Sequence, residues 1–171
     1  QGFLETVKIP YSGSGVLASA LAMDKIRAKQ IWLQMSLATP DYELLSDHTD
    51  WQDVAQRLGL CVVKPVSGGS SLGIAKASNV SELLSAYEAA LRVGARVMAE
   101  SCIDGPEYTI GVLDGELLPS IELVARGELF DFEAKYLSET TQMICPADLE
   151  AQDAQELDAL VISAYHALGC S

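Results

Sequence analysis

The stretch Leu60–Ala75, LCVVKPVSGGSSLGIA, is the part of the sequence that most constrains the fold. Its apolar, β-branched start, CVV, predicts a buried strand that ends at Lys64. A loop rich in glycine and serine follows, and the chain returns as a second strand. The glycines let the loop adopt positive φ and approach a ligand closely. Because successive N–H groups of such a loop form an anion-binding concavity, the stretch predicts an anion site that includes Lys64, Ser70 and Ser71.

The order of these residues excludes a P-loop. In a P-loop the lysine follows the glycines and opens a helix, whereas Lys64 precedes the glycines and leaves a strand. A mobile surface hairpin without a ligand is the alternative, and a glycine- and serine-rich hairpin alone does not decide between the two. The unbroken apolar strand that leads into Lys64 favours the anion site.

The formal net charge of −13 argues against two classes of partner. Nucleic acid requires a basic face, and an anionic membrane surface repels so acidic a chain, so we expect neither as a partner. An acidic protein that handles phosphates needs a few local Lys and Arg side chains and a divalent metal.

The cysteines and histidines predict a cytoplasmic protein without a metal site of its own. The four cysteines are widely spaced with no C-x-x-C pair, which is typical of free thiols in a reducing compartment. Cys61 and Cys102 lie in or beside apolar strands, so we expect buried thiols. His48 and His166 stand alone in the sequence, and no metal-ligating residue is predicted. The sequence contains no signal peptide and no apolar run of membrane-spanning length.

A helix is predicted from Lys25 to about Met35, with a lysine at its first position. Asp24 is a good N-cap for this helix, and Lys25 is its first residue. A cation at that position opposes the helix dipole by roughly 0.3–1 kcal/mol. Either Lys25 points into solvent, or an anion lies between its ammonium group and the helix N-terminus, where both attract it. The residue alone leaves both readings open.

The remaining pattern predicts an α+β fold with more than one lobe. Helices and strands alternate in the first half, and antiparallel strands follow. The further predicted elements are a helix capped by Ser14, a helix capped by Ser78 or Ser81, a hairpin over Glu107–Leu123 with an Asp114-Gly115 turn, a long ordered loop over Glu133–Pro146, and a helix over Ala151–Leu168.

Six blocks in order make the chain resemble the bacterial D-alanine–D-alanine ligases over nearly its whole length. They are YSGSG with A-x-AL-x-MDK, VKP with GSS-x-G, GPEYT, LPSI, DFEAKY and CPA. The resemblance implies an incomplete ATP-grasp fold, in which two lobes clamp ATP and Mg²⁺. It divides the chain into a remnant of the N-terminal domain (1–23), the central ATP-grasp lobe (24–107) and the first part of the C-terminal lobe (108–171).

The same resemblance implies an ATP-dependent ligase of peptidoglycan precursor synthesis. ATP phosphorylates the carboxylate of one D-alanine, and the amine of a second D-alanine attacks the acyl phosphate. The parent protein is expected to be a cytoplasmic homodimer. An inert nucleotide-binding fragment, or a ligase for another amino or hydroxy acid, is the alternative.

Residue by residue, the resemblance assigns roles around ATP. Lys25 and Lys64 match the lysines aimed at the phosphates, and Ser70 and Ser71 lie in the loop that covers them. Glu100 and the backbone from Ser101 through Ile103 match the strand that receives the adenine edge, although many relatives have Lys where this chain has Ser101. Glu107 matches the acid that accepts hydrogen bonds from the ribose.

Three residues are implied as catalytic: Ser70, Lys135 and Tyr136. The last two belong to a loop that closes over the substrates, and Tyr136 favours a D-alanine acceptor. The family's metal ligands lie in an R-I-D strand and an E-x-N motif, which would follow Cys170. We therefore expect Mg²⁺ to be bound outside these 171 residues, and we expect the chain to be a piece of a longer ligase and inactive alone.

Overall fold

The computed structural model describes residues 1–124 and 141–171. Its helices are α1 (Gly2–Thr6), α2 (Val16–Met23), α3 (Lys25–Gln34), α4 (Trp51–Leu58), α5 (Val80–Leu91) and α6 (Ala151–Ala167). Its strands are β1 (Tyr42–Leu45), β2 (Cys61–Pro65), β3 (Ala75–Ala77), β4 (Val97–Ser101), β5 (Glu107–Thr109), β6 (Val112–Leu113), β7 (Glu116–Leu117), β8 (Ile121–Val124) and β9 (Gln142–Ile144). The predicted α+β class and the strand–loop–strand unit are confirmed.

The described residues form two compact units. The first contains Gln1–Ala38, Tyr108–Glu122 and Ile144–Ser171, and the second contains Thr39–Glu107 with the described residues of Leu123–Met143. The division of the parent into lobes at 23/24 and 107/108 stays a prediction. No helix in the described part of the chain is both long and apolar enough to cross a bilayer.

The second unit is built on a four-stranded sheet in the order β1-β4-β2-β3, with each neighbouring pair antiparallel. Helices α4 and α5 contribute to a hydrophobic core with one face of the sheet. Alternation along β2 turns Cys61, Val63 and Pro65 inward, while Val62 and Lys64 lie on the opposite face. Val63 is fully buried, and burying such a side chain contributes about 1.5–3 kcal/mol.

Of the predicted helix N-caps, the one for α3 is confirmed, and the ones for α2 and α5 are wrong. Asp24 caps α3 as predicted, because its carboxylate accepts from the Arg27 N–H (3.0 Å). The prediction of Ser14 for α2 is wrong: the N-cap is Gly15, without a side-chain hydrogen bond. The Ser14 hydroxyl instead accepts from the Ser171 N–H (3.1 Å), so it is not available to the helix.

The N-cap of α5 is Asn79, so the prediction of Ser78 or Ser81 is wrong. The Asn79 side chain accepts from the Glu82 N–H (3.0 Å). The Glu82 carboxylate in turn accepts from the N–H and the hydroxyl of Ser78, both at 2.8 Å. These hydrogen bonds stabilise the charged carboxylate and lower the pKa of Glu82. Ser78 therefore supports a reciprocal capping arrangement from outside the helix.

The predicted hairpin over Glu107–Leu123 is interrupted. Its tip is the β6–β7 ladder, closed by the predicted turn with positive φ at Asp114 and Gly115. Strand β5 lies beside β8 in a separate three-stranded sheet, β5-β8-β9. Pro119, which lacks an N–H, lies between β7 and β8 and cannot donate to a continuous ladder.

Strand β9 lies inside the predicted loop over Glu133–Pro146, so that prediction is wrong for residues 142–144; residues 133–140 lie outside the described residues.

The cysteines are free, but only Cys61 is buried, and Cys102 is half-buried. The expectation of a buried Cys102 is therefore wrong, because the chain has left β4 at that residue.

Gly94 is a residue where one added methyl group should weaken the second unit. A Cβ at Gly94 would lie 2.9 Å from the Pro65 Cβ, at the end of β2. We expect Gly94→Ala to lower the free energy of unfolding by about 1–3 kcal/mol, since this contact has no room to relax. Urea denaturation measures the change.

Gly69→Ala is the matched control, because a Cβ at Gly69 meets nothing within 4 Å. Its free energy of unfolding should stay within roughly 0.5 kcal/mol of the wild-type value. Equal losses in the two variants would contradict the packing argument.

Candidate functional site

The face of the four-stranded sheet turned away from α4 and α5 carries two of the predicted site residues, Lys64 and Glu100. We call it the polar face. Val63, Ala77 and Ala99 belong to the core, so their strand neighbours point to the other side. One row crosses all four strands through the register pairs of Tyr42 with Glu100, Glu100 with Val62, and Val62 with Lys76. The polar face is defined by Tyr42, Val62, Lys64, Lys76, Met98 and Glu100.

Lys64 and Glu100 form an ion pair on this face. Lys64 lies opposite Met98 and Glu100 lies opposite Val62, so the two are diagonal neighbours on β2 and β4. The Lys64 ammonium group donates to Oε1 of Glu100. Their side chains are only 18% and 13% exposed. The pair therefore places a hydrogen-bond donor beside an acceptor where solvent screens both weakly.

The loop after Lys64 is held at both ends. Val66 is fully buried, and its N–H donates to the Arg96 carbonyl (2.9 Å). At the other end, Gly73 adopts φ +70°, and a Cβ there would lie 3.1 Å from a Val93 methyl group. Only glycine fits this close approach without strain.

The middle of the loop adopts a backbone that side chains disfavour. Ser70 and Ser71 have φ of 54° and 55°, and the left-handed region costs a residue with a Cβ roughly 1–2 kcal/mol. Strain of this kind is concentrated at ligand-binding sites. The two serines therefore lie in a turn of defined shape, in the middle of the loop that begins after Lys64, where the sequence predicts an anion site.

The residues predicted to follow the adenine edge lie at the end of β4 and beyond. The Ser101 hydroxyl donates to the Leu58 carbonyl (3.4 Å), on the helix side of the sheet. A contact from Ser101 to a ligand on the polar face would therefore use its main chain. Ile103 is 71% exposed, and Glu107 is an exposed residue at the start of β5.

Lys25 belongs to the first unit, where it is the first residue of α3. One turn later, Lys29 is 4% exposed and is the only charged side chain that is buried within the described part of the chain. Sequence reasoning missed Lys29, because lysine is almost never expected inside and no motif marks it. The predicted catalytic residues Lys135 and Tyr136 lie outside the described residues.

The polar face fits an anionic nucleotide better than it fits a metal ion. Residues 1–124 and 141–171 bring together no group of three or more His, Cys, Asp or Glu side chains that could hold a metal. They do bring a lysine and a carboxylate into contact, on a sheet whose strand β2 leads into the loop with the strained serine turn. This donor set suits a ligand with both a polar ring edge and phosphate oxygens.

Comparison with known proteins points in the same direction. The model of the family described as D-ala D-ala ligase C-terminus matches residues 31–171. A D-alanine–D-alanine ligase of Ralstonia nicotianae is 50% identical over 175 residues, which cover 99% of this chain and 53% of the relative. The chain spans about half the length of the curated relatives it matches.

Solved structures agree with the sequence matches. The D-alanine–D-alanine ligase of Bacillus anthracis superposes with a TM-score of 0.87 at 35% identity, covering 100% of this chain and 57% of that one. A D-alanine–D-alanine ligase of Bacillus anthracis complexed with ATP gives a TM-score of 0.83 at 33% identity, covering 100% of this chain and 55% of that one. Both the predicted family and the predicted incomplete ATP-grasp fold are thereby confirmed. The chain belongs to the family of the D-ala D-ala ligase C-terminus.

Proposed function

We propose that the protein carrying this chain is an ATP-dependent D-alanine–D-alanine ligase of peptidoglycan precursor synthesis. A carboxylate oxygen of one D-alanine attacks the γ-phosphorus of ATP, and ADP leaves. The amine of a second D-alanine then attacks the acyl carbon, which releases phosphate and a proton and leaves the dipeptide. The single observation that carries the proposal is the Lys64–Glu100 pair, on a strand that leads into the serine turn, in a chain 50% identical to a ligase of this name.

The proposed work of this chain is to bind and position ATP. Phosphoryl transfer depends mainly on positioned charges and N–H donors around the phosphates. Lys64 and the turn of Ser70 and Ser71 supply such groups in the second unit. Lys25 supplies one at the N-terminus of α3, where the helix dipole also attracts an anion.

Glu100 and Lys64 also suit the edge of adenine. That edge presents an amino donor at N6 next to an acceptor at N7. The Glu100 carboxylate can accept from the amino group while one of the three N–H donors of Lys64 binds N7 and another remains for a phosphate oxygen. ATP would then take over both halves of the existing ion pair. The main chain from Ser101 to Ile103 continues along the base, and Glu107 accepts from the ribose hydroxyls.

The other roles are proposed from the family resemblance. Ser70, Lys135 and Tyr136 act at the reacting groups, and the last two exclude water from them. Mg²⁺ neutralises charge on the phosphates in such transfers, and we propose no ligand for it among the described residues. We also propose a cytoplasmic homodimer, with the division into 1–23, 24–107 and 108–171.

A coupled assay of the complete protein that carries this sequence tests the proposal. With ATP, Mg²⁺ and D-alanine, we expect one phosphate released for each dipeptide formed, detected by a phosphate-coupled reaction and mass spectrometry. L-Alanine should release at most about 1% as much phosphate, since a mirror-image substrate misplaces the attacking groups. D-Serine and D-lactate, each mixed with D-alanine, test the alternative acceptors. No phosphate release with D-alanine, or a faster reaction with another acceptor, would contradict the proposed substrate.

A further inference from the structure

Lys76 also lies on the polar face, in the strand that follows the glycine- and serine-rich loop. It is the central residue of β3, between Ala75 and Ala77. Ala77 is in the core and Ala75 packs against it, so the Lys76 side chain points to the opposite side of the sheet. The side chain is half-buried there.

The register places Lys76 within reach of Lys64. Lys76 is paired with Val62, which is two residues before Lys64 on β2. Diagonal neighbours of this kind have Cβ atoms roughly 7–8 Å apart, a separation that long side chains span. Lys64 and Lys76 therefore flank the loop, one on each of the strands that it joins.

Lys76 carries the one positive charge of the polar face that no carboxylate on that face balances. The face carries three charged side chains, Lys64, Lys76 and Glu100, and the first and last form an ion pair. In the described ranges no carboxylate lies within ion-pair distance of Lys76. The net charge of the chain is −13, which repels an anion. The positive charge of Lys76 offsets that repulsion locally, where an anion is proposed to bind.

We propose that Lys76 is a further binding residue for the polyphosphate of ATP, acting beside Lys64. This inference rests on the proposed function. The alternative role for a lysine on an edge strand is to discourage pairing with another chain, and that role predicts no effect on nucleotide binding.

The test compares Lys76→Met with the wild type in the complete protein, because methionine keeps the length of the side chain and removes its charge. We expect the Kd for ATP, measured by calorimetry, and the KM for ATP to rise about 3- to 10-fold, the size of one contact between unit charges that water screens. The kcat should change less than about twofold, since the loss is in binding shared by the ground and transition states. Lys76→Arg should restore most of the affinity.

Adenosine separates a charge effect from a structural one. It has the same base and ribose but no phosphate, so Lys76→Met should leave its affinity unchanged. The difference in ATP affinity between variant and wild type should also shrink at high salt, because screening weakens charge interactions. An equal loss of ATP and adenosine affinity would overturn the inference.

Arg92→Met is the matched control in the same unit. Arg92 is exposed at the end of α5, the helix that packs on the core face, so removing its charge should leave the ATP affinity unchanged. If the wild type ligates D-alanine but Lys76→Met binds ATP as tightly as the wild type does, the assignment of Lys76 is wrong and the proposed function stands. A wild-type protein that binds no ATP would overturn the proposed function and this inference together.

Discussion

Replacing Lys64 with alanine in the complete protein should abolish turnover and leave the fold intact. We expect kcat/KM for ATP to fall at least about 100-fold, the loss typical when one donor that stabilises developing charge is removed. The Lys64 ammonium is already held on the polar face by Glu100. It is thus positioned before a ligand arrives.

The fold should survive because Lys64 is not part of the core. Its side chain lies on the polar face, while Val63 and Pro65 on either side of it are buried. Removing one partner of the Glu100 carboxylate should cost about 1–3 kcal/mol of unfolding free energy, which a complete enzyme tolerates. Circular dichroism and thermal unfolding check the fold, and the phosphate-coupled assay measures turnover. Wild-type turnover in Lys64→Ala would overturn the assigned site.

Replacing Glu100 with glutamine should change which nucleotide the enzyme accepts. A carboxylate only accepts hydrogen bonds, so it favours the amino group of adenine and repels the O6 carbonyl of guanine. Glutamine can turn its amide to donate instead. We expect kcat/KM for ATP to fall about tenfold, and the preference for ATP over GTP to fall about 10- to 100-fold, in line with the roughly 1–3 kcal/mol that a specific pair of base contacts contributes.

Glu43→Gln controls for the loss of a carboxylate in the same sheet. Glu43 lies on the neighbouring strand β1, and its carboxylate pairs with Arg57 of α4 (2.7 Å), on the helix side. Both side chains are about 40% exposed, so this surface pair contributes little. The variant should keep the wild-type preference for ATP, measured from kcat/KM for ATP and GTP. The same loss of preference in both variants would show that Glu100 does not read the base.

Local rules account for the parts that sequence reasoning predicted correctly. The strand CVVKP forms because β-branched side chains favour extended backbone, and the glycines and serines after it cannot continue a strand. Asp24 caps α3 because a carboxylate directly before the first helical residue can accept from the N–H three residues later. The cap predictions were wrong where several candidates stood together: Ser78, Asn79 and Ser81 all suit an N-cap. In the structure Asn79 accepts from the Glu82 N–H, while Ser78 donates to the Glu82 carboxylate.

The sequence by itself determined the strand–loop–strand unit, the α+β class and, through ordered blocks of residues, the family, because each depends on residues that are close together in the chain. The tertiary structure alone decided that Lys64 meets Glu100, 36 residues away, that Lys76 shares their face, and that the Ser101 hydroxyl does not. These relations depend on the register of antiparallel strands, in which a shift of one residue turns every side chain to the other face. No local pattern specifies that register, since it is set by which apolar side chains of β1, β2, β3 and β4 can share one core.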